Sequence, residues 1–156
     1  MNVVIVYDSV FGNTKKIAEA IGSAIGESAE ILNVNQFKID NLKAIDLLFV
    51  GSPTRAFKPT KNIANFIKII KKKKPQLKVA CFDTRIHVSD KDPWILRKLE
   101  KRFGYATDSM IKALSNSAKI TLYDPNWFFV GGTEGPLSNE ELDKAAKWAN
   151  QILQKL

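Results

Sequence analysis

Ser9, Gly12, Asn13 and Thr14 fall close together between an apolar run and a stretch with helical periodicity. The apolar run is Val3-Val4-Ile5-Val6-Tyr7, and the periodic stretch opens at Asn13, so the four residues sit on a strand-to-helix loop. In an open α/β sheet such a loop lies at the carboxyl edge of a strand, where ligands bind. Free backbone N–H groups and the positive end of the helix dipole converge there, which makes a phosphate the natural guest. Ser9 and Thr14 add hydroxyls, Asn13 an amide, and Gly12 lets the backbone come close. The order S-x-x-G-N-T is neither the GxGxxG dinucleotide fingerprint nor the GxxxxGK[ST] loop of nucleoside triphosphatases. A polar loop of this kind can also do no more than turn the chain.

The elements that must position this loop alternate strand and helix. Residues 3–8 read as a strand and 13–26 as a helix with Ile17, Ile21, Ala24 and Ile25 on one face. Strands follow at 29–34 and 47–52, separated by a polar stretch at 35–45 that holds a short helix or loop. The run LLFVGS at 47–52 is apolar enough to be buried on both faces. A helix from about 60 to 74 buries Ile63, Phe66, Ile67 and Ile70, with Pro75 as its stop. Strand 77–83 and helix 107–117 come next. A last strand begins near 119, breaks at Asp124-Pro125-Asn126 and resumes as WFFVGG. A capping box from Ser138 to Glu141 opens the final helix, which is expected to bury Leu142, Ala145, Ala149, Ile152 and Leu156.

This pattern predicts an α/β fold, a doubly wound sheet of five parallel strands with helices on both faces. Right-handed crossovers and the strand order 2-1-3-4-5 bring the loops after strands one, three and four onto one rim. Residues 1–156 read as a single domain. Segment 84–106 exceeds the minimal pattern, and Asp92-Pro93 starts a short amphipathic helix carrying Trp94, Leu96, Leu99 and Phe103. It reads as a flap or insertion, either packing on the domain or serving as a ligand lid or partner interface.

Composition narrows the class. Hydrophobic content of 45% with 26% charged residues fits a soluble globular protein, and no apolar run is long enough to span a bilayer. The chain enters a strand directly, without a basic stretch and cleavage site, so no signal peptide and a cytoplasmic location are expected. Cys81 is the single cysteine, lies mid-strand and reads as a buried thiol. One histidine and one cysteine cannot build a standard transition-metal site. The net charge of +8 favours acidic proteins or anionic ligands. The run Lys71 to Lys74 reads as a solvated helix end, with no aromatic interleaving that would point to nucleic acid.

Two further loops share the expected rim, Gly51-Ser52-Pro53-Thr54-Arg55-Ala56-Phe57-Lys58-Pro59 and Asp83-Thr84-Arg85-Ile86. The S-x-x-G-N-T loop resembles the FMN phosphate loop of the flavodoxin family, with Val10 as a departure at a position where that family avoids valine. GSPTR resembles the loop that contacts the isoalloxazine ring in flavodoxin-fold flavoproteins, including the NAD(P)H:quinone reductase branch. FFVGGTEGPL before a helix resembles small flavodoxin-like proteins. The resemblance implies that Ser9, Val10, Phe11, Gly12, Asn13 and Thr14 hold the phosphate of FMN. It implies that Pro53, Thr54, Arg55, Ala56 and Phe57 line one side of the ring, and Asp83, Thr84, Arg85 and Ile86 another. Phe57, Trp94 or Tyr105 would supply an aromatic face.

The resemblance also sets the expected function, an FMN-binding redox protein that carries out electron transfer. Its partner is a redox protein, an acidic one suiting the charge, or a small-molecule acceptor used with NAD(P)H as in a quinone-type oxidoreductase. A flavin-free scaffold on the same fold stays open, as does the oligomeric state. A phosphoacceptor signalling domain is excluded, because the third strand ends Val50-Gly51-Ser52 without a carboxylate. His87 reads as an exposed loop residue or a flavin contact. Arg55 and Arg85 are both expected to stabilise negative charge on the reduced ring and so raise its two-electron potential. Residues 52–59 contain no glycine, which predicts poor stabilisation of one-electron-reduced flavin and a preference for two-electron chemistry.

Overall fold

The computed structural model describes residues 1–73 and 76–156. The expected helix stop at Lys74 and Pro75 lies outside the described residues. The central strands are β1 (Val3–Tyr7), β2 (Ala29–Asn33), β3 (Leu47–Pro53) and β4 (Leu77–Arg85). Two short strands, β5 (Ile120–Leu122) and β6 (Asn126–Phe129), both pair parallel with β4. The sheet order is β2-β1-β3-β4-β5, with β6 continuing along the β4 edge where β5 stops. The doubly wound parallel sheet is therefore the one the sequence predicts, and the break at Asp124-Pro125-Asn126 splits its last strand into two pieces.

Strand alternation divides the core. Val3, Ile5, Leu47, Phe49, Ala80 and Phe82 pack on one face with α1 (Asn13–Ile25) and α5 (Glu141–Gln154). Val4, Val6, Leu48, Val50, Val79 and Cys81 pack on the other with α2 (Lys61–Lys73) and α4 (Ala106–Ser115). Successive strand residues point to opposite faces, so a strand covered on both sides is apolar at every position. Residues 34–36 and 39–44 form two short 3-10 turns in the polar stretch between β2 and β3.

Two expectations for the last helix fail. No side chain caps α5, because Glu140 precedes it in the left-handed region at φ 68°. The Ser138 carbonyl, not its hydroxyl, accepts from Glu141 N at 3.4 Å. Leu142 and Leu156 are exposed, while Trp148 joins Ala145, Ala149 and Ile152 in the core. Trp148 meets Phe49, Phe82 and Phe128 edge-on.

Segment 86–104 lies outside this layered core. Its helix, α3 (Trp94–Phe103), buries no residue and leaves Trp94 64% exposed. Trp94 therefore contributes to no aromatic wall of the rim, and the Lys98 ammonium stands 5.9 Å from its ring centroid.

Candidate functional site

The loop between β1 and α1 is held from within. Ser9 Oγ accepts from Gly12 N at 3.0 Å and from Lys15 N at 3.4 Å, which closes the loop onto the first turn of α1. Gly12 has φ 89°, a conformation that L side chains rarely adopt. Below it, the Asp8 carboxylate accepts from Ser9 N at 2.9 Å and from the Asn62 amide at 3.3 Å. Thr14 and Thr84 share a hydroxyl–hydroxyl hydrogen bond at 2.8 Å, and Asn13 Nδ2 donates to the Glu134 carbonyl at 3.0 Å.

The side chains that the sequence offered as phosphate donors also hold the loops together: Ser9 acts there as an acceptor and keeps its O–H, and Asn13 keeps a second amide N–H. The N–H groups of Val10, Phe11, Asn13 and Thr14 donate to no acceptor among the described residues. They surround the start of a thirteen-residue helix, whose dipole adds positive potential at that end.

The second loop turns tightly at Ala56 and Phe57. Arg55 N donates to the Lys58 carbonyl at 2.8 Å, and Lys58 N donates back to Arg55 at 3.0 Å. Ala56 and Phe57 have φ 46° and 64°, the arrangement of a type I′ turn that ordinarily selects Asn-Gly. A loop without glycine has therefore not avoided positive φ. Thr54 N donates to the Thr84 carbonyl, and Thr54 Oγ1 accepts from Ala106 N, so this loop is fixed to the third one and to α4.

The third loop carries a buried ion pair. Arg85 donates through Nε to Asp83 Oδ1 at 2.7 Å and through Nη2 to Asp83 Oδ2 at 2.6 Å. Thr107 completes the cluster: its N–H and hydroxyl donate to Asp83 Oδ2, and its oxygen accepts from Arg85 Nη2. The guanidinium lies between the rings of Tyr105, at 3.8 Å from its centroid, and Trp127, at 4.9 Å. Burial pushes the Tyr105 phenol up from its ordinary range. Arg85 is consequently not the free cation that the sequence suggested, since Asp83 balances its charge within the site.

Together the loops enclose a cleft of about 480 Å³. Ser9, Val10, Phe11, Asn13 and Thr14 line it from the first loop, and Pro53, Thr54, Arg55 and Ala56 from the second. Thr84, Arg85 and Ile86 line it from the third. Three residues of the sequence-based set stay off its wall. Gly12 shapes the first turn, Asp83 lies fully buried beneath the cleft, and Phe57 turns toward Tyr105 with ring centroids 6.4 Å apart. Tyr105 packs beneath the rim against Arg85. The exposed His87 ring packs on Phe129, and the aromatic side chain in the cleft is Phe11, under the Arg55 guanidinium at 5.4 Å.

Val130 and Thr133 complete the lining from the loop after β6, and the sequence-based set omits both. Their signal was the Gly131-Gly132-Thr133 turn after an aromatic strand. Asp8, which braces the first loop, was also omitted. Behind the site, burial and then the Asp83 charge push the Cys81 thiol up to about 12, which makes it unreactive at neutral pH. Among the described residues no group of acidic, histidine or cysteine side chains could hold a metal ion.

The flavodoxin domain family model matches residues 4–123. The chain belongs to the flavodoxin family. Solved flavodoxins share its fold over their whole length at low identity. A flavodoxin from the domain Archaea is 23% identical with a TM-score of 0.69, covering 99% of this chain and 98% of its own. Oxidised flavodoxin 1 from Bacillus cereus is 17% identical with a TM-score of 0.77, covering 100% of this chain and 99% of its own. The rubredoxin:oxygen oxidoreductase of Desulfovibrio gigas is 17% identical with a TM-score of 0.65; the match covers 99% of this chain but 35% of that longer protein. No curated protein matches the chain in sequence. The fold is that of the flavodoxin family, and among the described residues no helix is long and apolar enough to cross a membrane.

Proposed function

We propose that this flavodoxin-family chain binds FMN in the cleft and exchanges electrons with a redox partner or a small-molecule acceptor. The observation that carries the reading is the set of unaccepted N–H groups at Val10, Phe11, Asn13 and Thr14. Such a set at a helix start fits a terminal phosphate, which supplies several acceptor oxygens and the charge that the dipole favours. The rest of the cleft suits a flat ring: Pro53, Ala56, Val130 and Ile86 give apolar surface, and Thr54 and Thr84 give polar edges.

Each side chain then has a definite task. Ser9 holds Gly12 so that the loop presents its N–H groups, and Asn13 ties the loop to Glu134. Val10, Phe11 and Ile86 are exposed apolar groups on the rim, where they shield the cleft from water once it is filled. Arg55 is exposed with no carboxylate in reach among the described residues, so it supplies an unbalanced positive charge at the edge of the site. Bound there, FMN supplies the electron chemistry, and no protein acid or base is required for it.

The deciding experiment mixes purified protein with excess FMN, removes free flavin by desalting and records the visible spectrum. Retained flavin bands, with riboflavin and FAD retained less well, support the phosphate-loop reading. A colourless protein after this treatment overturns it.

A further inference from the structure

The second face of the molecule carries a groove that the flavin reading does not use. It lies between α2 and α4 and encloses about 520 Å³. Its floor is apolar, with Ala64, Ile67, Met110 and Ala113. Its rim is cationic, with Lys58, Lys61, Lys68 and Lys71.

Helix α2 contains five lysines and no acidic residue. None of the four rim lysines pairs with a carboxylate among the described residues. Lys68 faces Lys71 and Lys72 at the helical spacings i+3 and i+4, where like charges repel. A helix end needs some positive charge to complement its dipole, but Lys61 and Lys68 lie outside the last turn. An apolar trough flanked by unpaired cations is complementary to one kind of surface, an amphipathic helix with an apolar stripe between acidic flanks.

We infer that this groove docks an acidic amphipathic helix of a protein partner. The shape argues against the other polyanions. A lipid surface is flat and would leave the recessed floor uncovered. A nucleic acid strand needs stacking faces beside its phosphate contacts, and no aromatic side chain lines the groove.

The groove also has a position that matters. It begins at Lys58, whose reciprocal hydrogen bonds with Arg55 close the turn, and Arg55 lines the cleft on the other side. Three residues of chain span at most about 10 Å, so a docked helix lies beside the loop that borders the cleft. The docking itself is independent of the FMN reading; only its use for electron exchange rests on it.

The test titrates the full chain, with and without added FMN, into a fluorescent synthetic peptide about as long as α2, helical, with leucines on one stripe and glutamates beside it. Fluorescence anisotropy reads the affinity. The inference expects binding that weakens at least about tenfold when the peptide glutamates become glutamine. It expects a similar loss for the Lys61→Gln/Lys68→Gln/Lys71→Gln chain, and for Ala113→Trp, which fills the floor. Circular dichroism checks that each variant is folded, and the lysine variant, altered only at exposed or half-exposed positions, decides the matter if Ala113→Trp is not. Equal binding of the glutamine peptide or full binding by the lysine variant overturns the inference. So does tighter binding of a single-stranded oligonucleotide or of phosphatidylglycerol vesicles, or a dimer in sedimentation that the lysine variant abolishes. Peptide binding that survives while FMN is refused removes the flavin reading and leaves the docking site.

Discussion

Arg85 lies across Asp83 with two hydrogen bonds, 2.7 and 2.6 Å, in a place where both side chains are almost wholly removed from water. Removing one partner of such a pair leaves an uncompensated charge, which costs about 3–5 kcal/mol. Asp83→Asn should therefore lower stability by that amount in urea unfolding. Asp83→Asn combined with Arg85→Gln should recover part of the loss, because no isolated charge remains. A single variant as stable as the parent would show that the pair is not what holds β4 to the start of α4.

Charge balance separates the two arginines in redox behaviour. Arg55 has no acidic partner among the described residues and sits 5.4 Å over the Phe11 ring at the cleft. With FMN bound, Arg55→Ala should lower the two-electron midpoint potential by tens of millivolts, about 30 mV for each tenfold loss in stabilisation of the reduced form. The Asp83→Asn/Arg85→Gln double variant removes a pair of zero net charge and should shift the potential less. Potentiometric titration compares them, and equal shifts would mean that Arg85 acts as a free cation.

Gly12 and Gly26 bracket α1 with nearly the same φ, 89° and 87°, but Gly12 is left-handed at ψ −8° while Gly26 has ψ −154°, and neither has an atom within 4 Å of where a Cβ would stand. Alanine should cost about 1–2 kcal/mol at Gly12 from left-handed strain, and about 1–3 kcal/mol at Gly26, whose conformation is essentially reserved for glycine. Gly12 adjoins the unaccepted N–H groups and Gly26 does not, so only Gly12→Ala should weaken FMN retention. Equal loss of flavin from both variants would mean that global stability, rather than loop geometry, governs binding.

The turn at Ala56 and Phe57 predicts a stabilising substitution. Ala56→Gly relieves a positive φ of 46° and should raise stability by up to about 1 kcal/mol, against the ordinary penalty for introducing glycine. The expected preference of the bound flavin for two-electron chemistry is tested on the same pair of proteins. A stepwise reductive titration of the parent should show little one-electron-reduced flavin. More of it in Ala56→Gly would assign the preference to the stiffness of this turn.

Cys81 sets a pH dependence with a definite sign. Its thiol is held at about 12 in the folded state against 9.0 for the ordinary thiol. Below pH 9 both states keep the proton and the group contributes no pH dependence. Between pH 9 and 12 the unfolded chain releases the proton while the folded chain retains it, so stability falls as pH rises. Cys81→Val should flatten that part of the profile. An alkylating thiol reagent should react with the parent only at the rate of unfolding.

The fold was legible because its signals are local and repeat. Val3 to Tyr7 and Leu47 to Val50 are apolar at every position, and α1, α2 and α4 carry apolar residues at helical spacing. Alternation of the two leaves a doubly wound parallel sheet as the solution, and right-handed crossovers then bring the three loops to one rim. Most residues of S-x-x-G-N-T and the Pro53-Thr54-Arg55 part of GSPTR likewise line the cleft.

What tertiary structure alone decided was which group each polar atom meets. Nothing in the chain order shows that Asp83 and Arg85 both meet Thr107, that Thr14 bonds to Thr84, or that Asn13 reaches Glu134. Those partners lie as far as 121 residues apart, and only closure of the sheet brings them within 3 Å. For the same reason the sequence placed backbone N–H groups and side-chain donors together at the first loop, and only the fold shows that Ser9, Asn13 and Thr14 also brace it. Leu142 and Trp148 make the point on α5: both fit an amphipathic stripe, and the aromatic cluster of Phe49, Phe82 and Phe128 selects Trp148. Periodicity fixes which residues share a helix face, but the shape of the opposing layer determines which of them is buried.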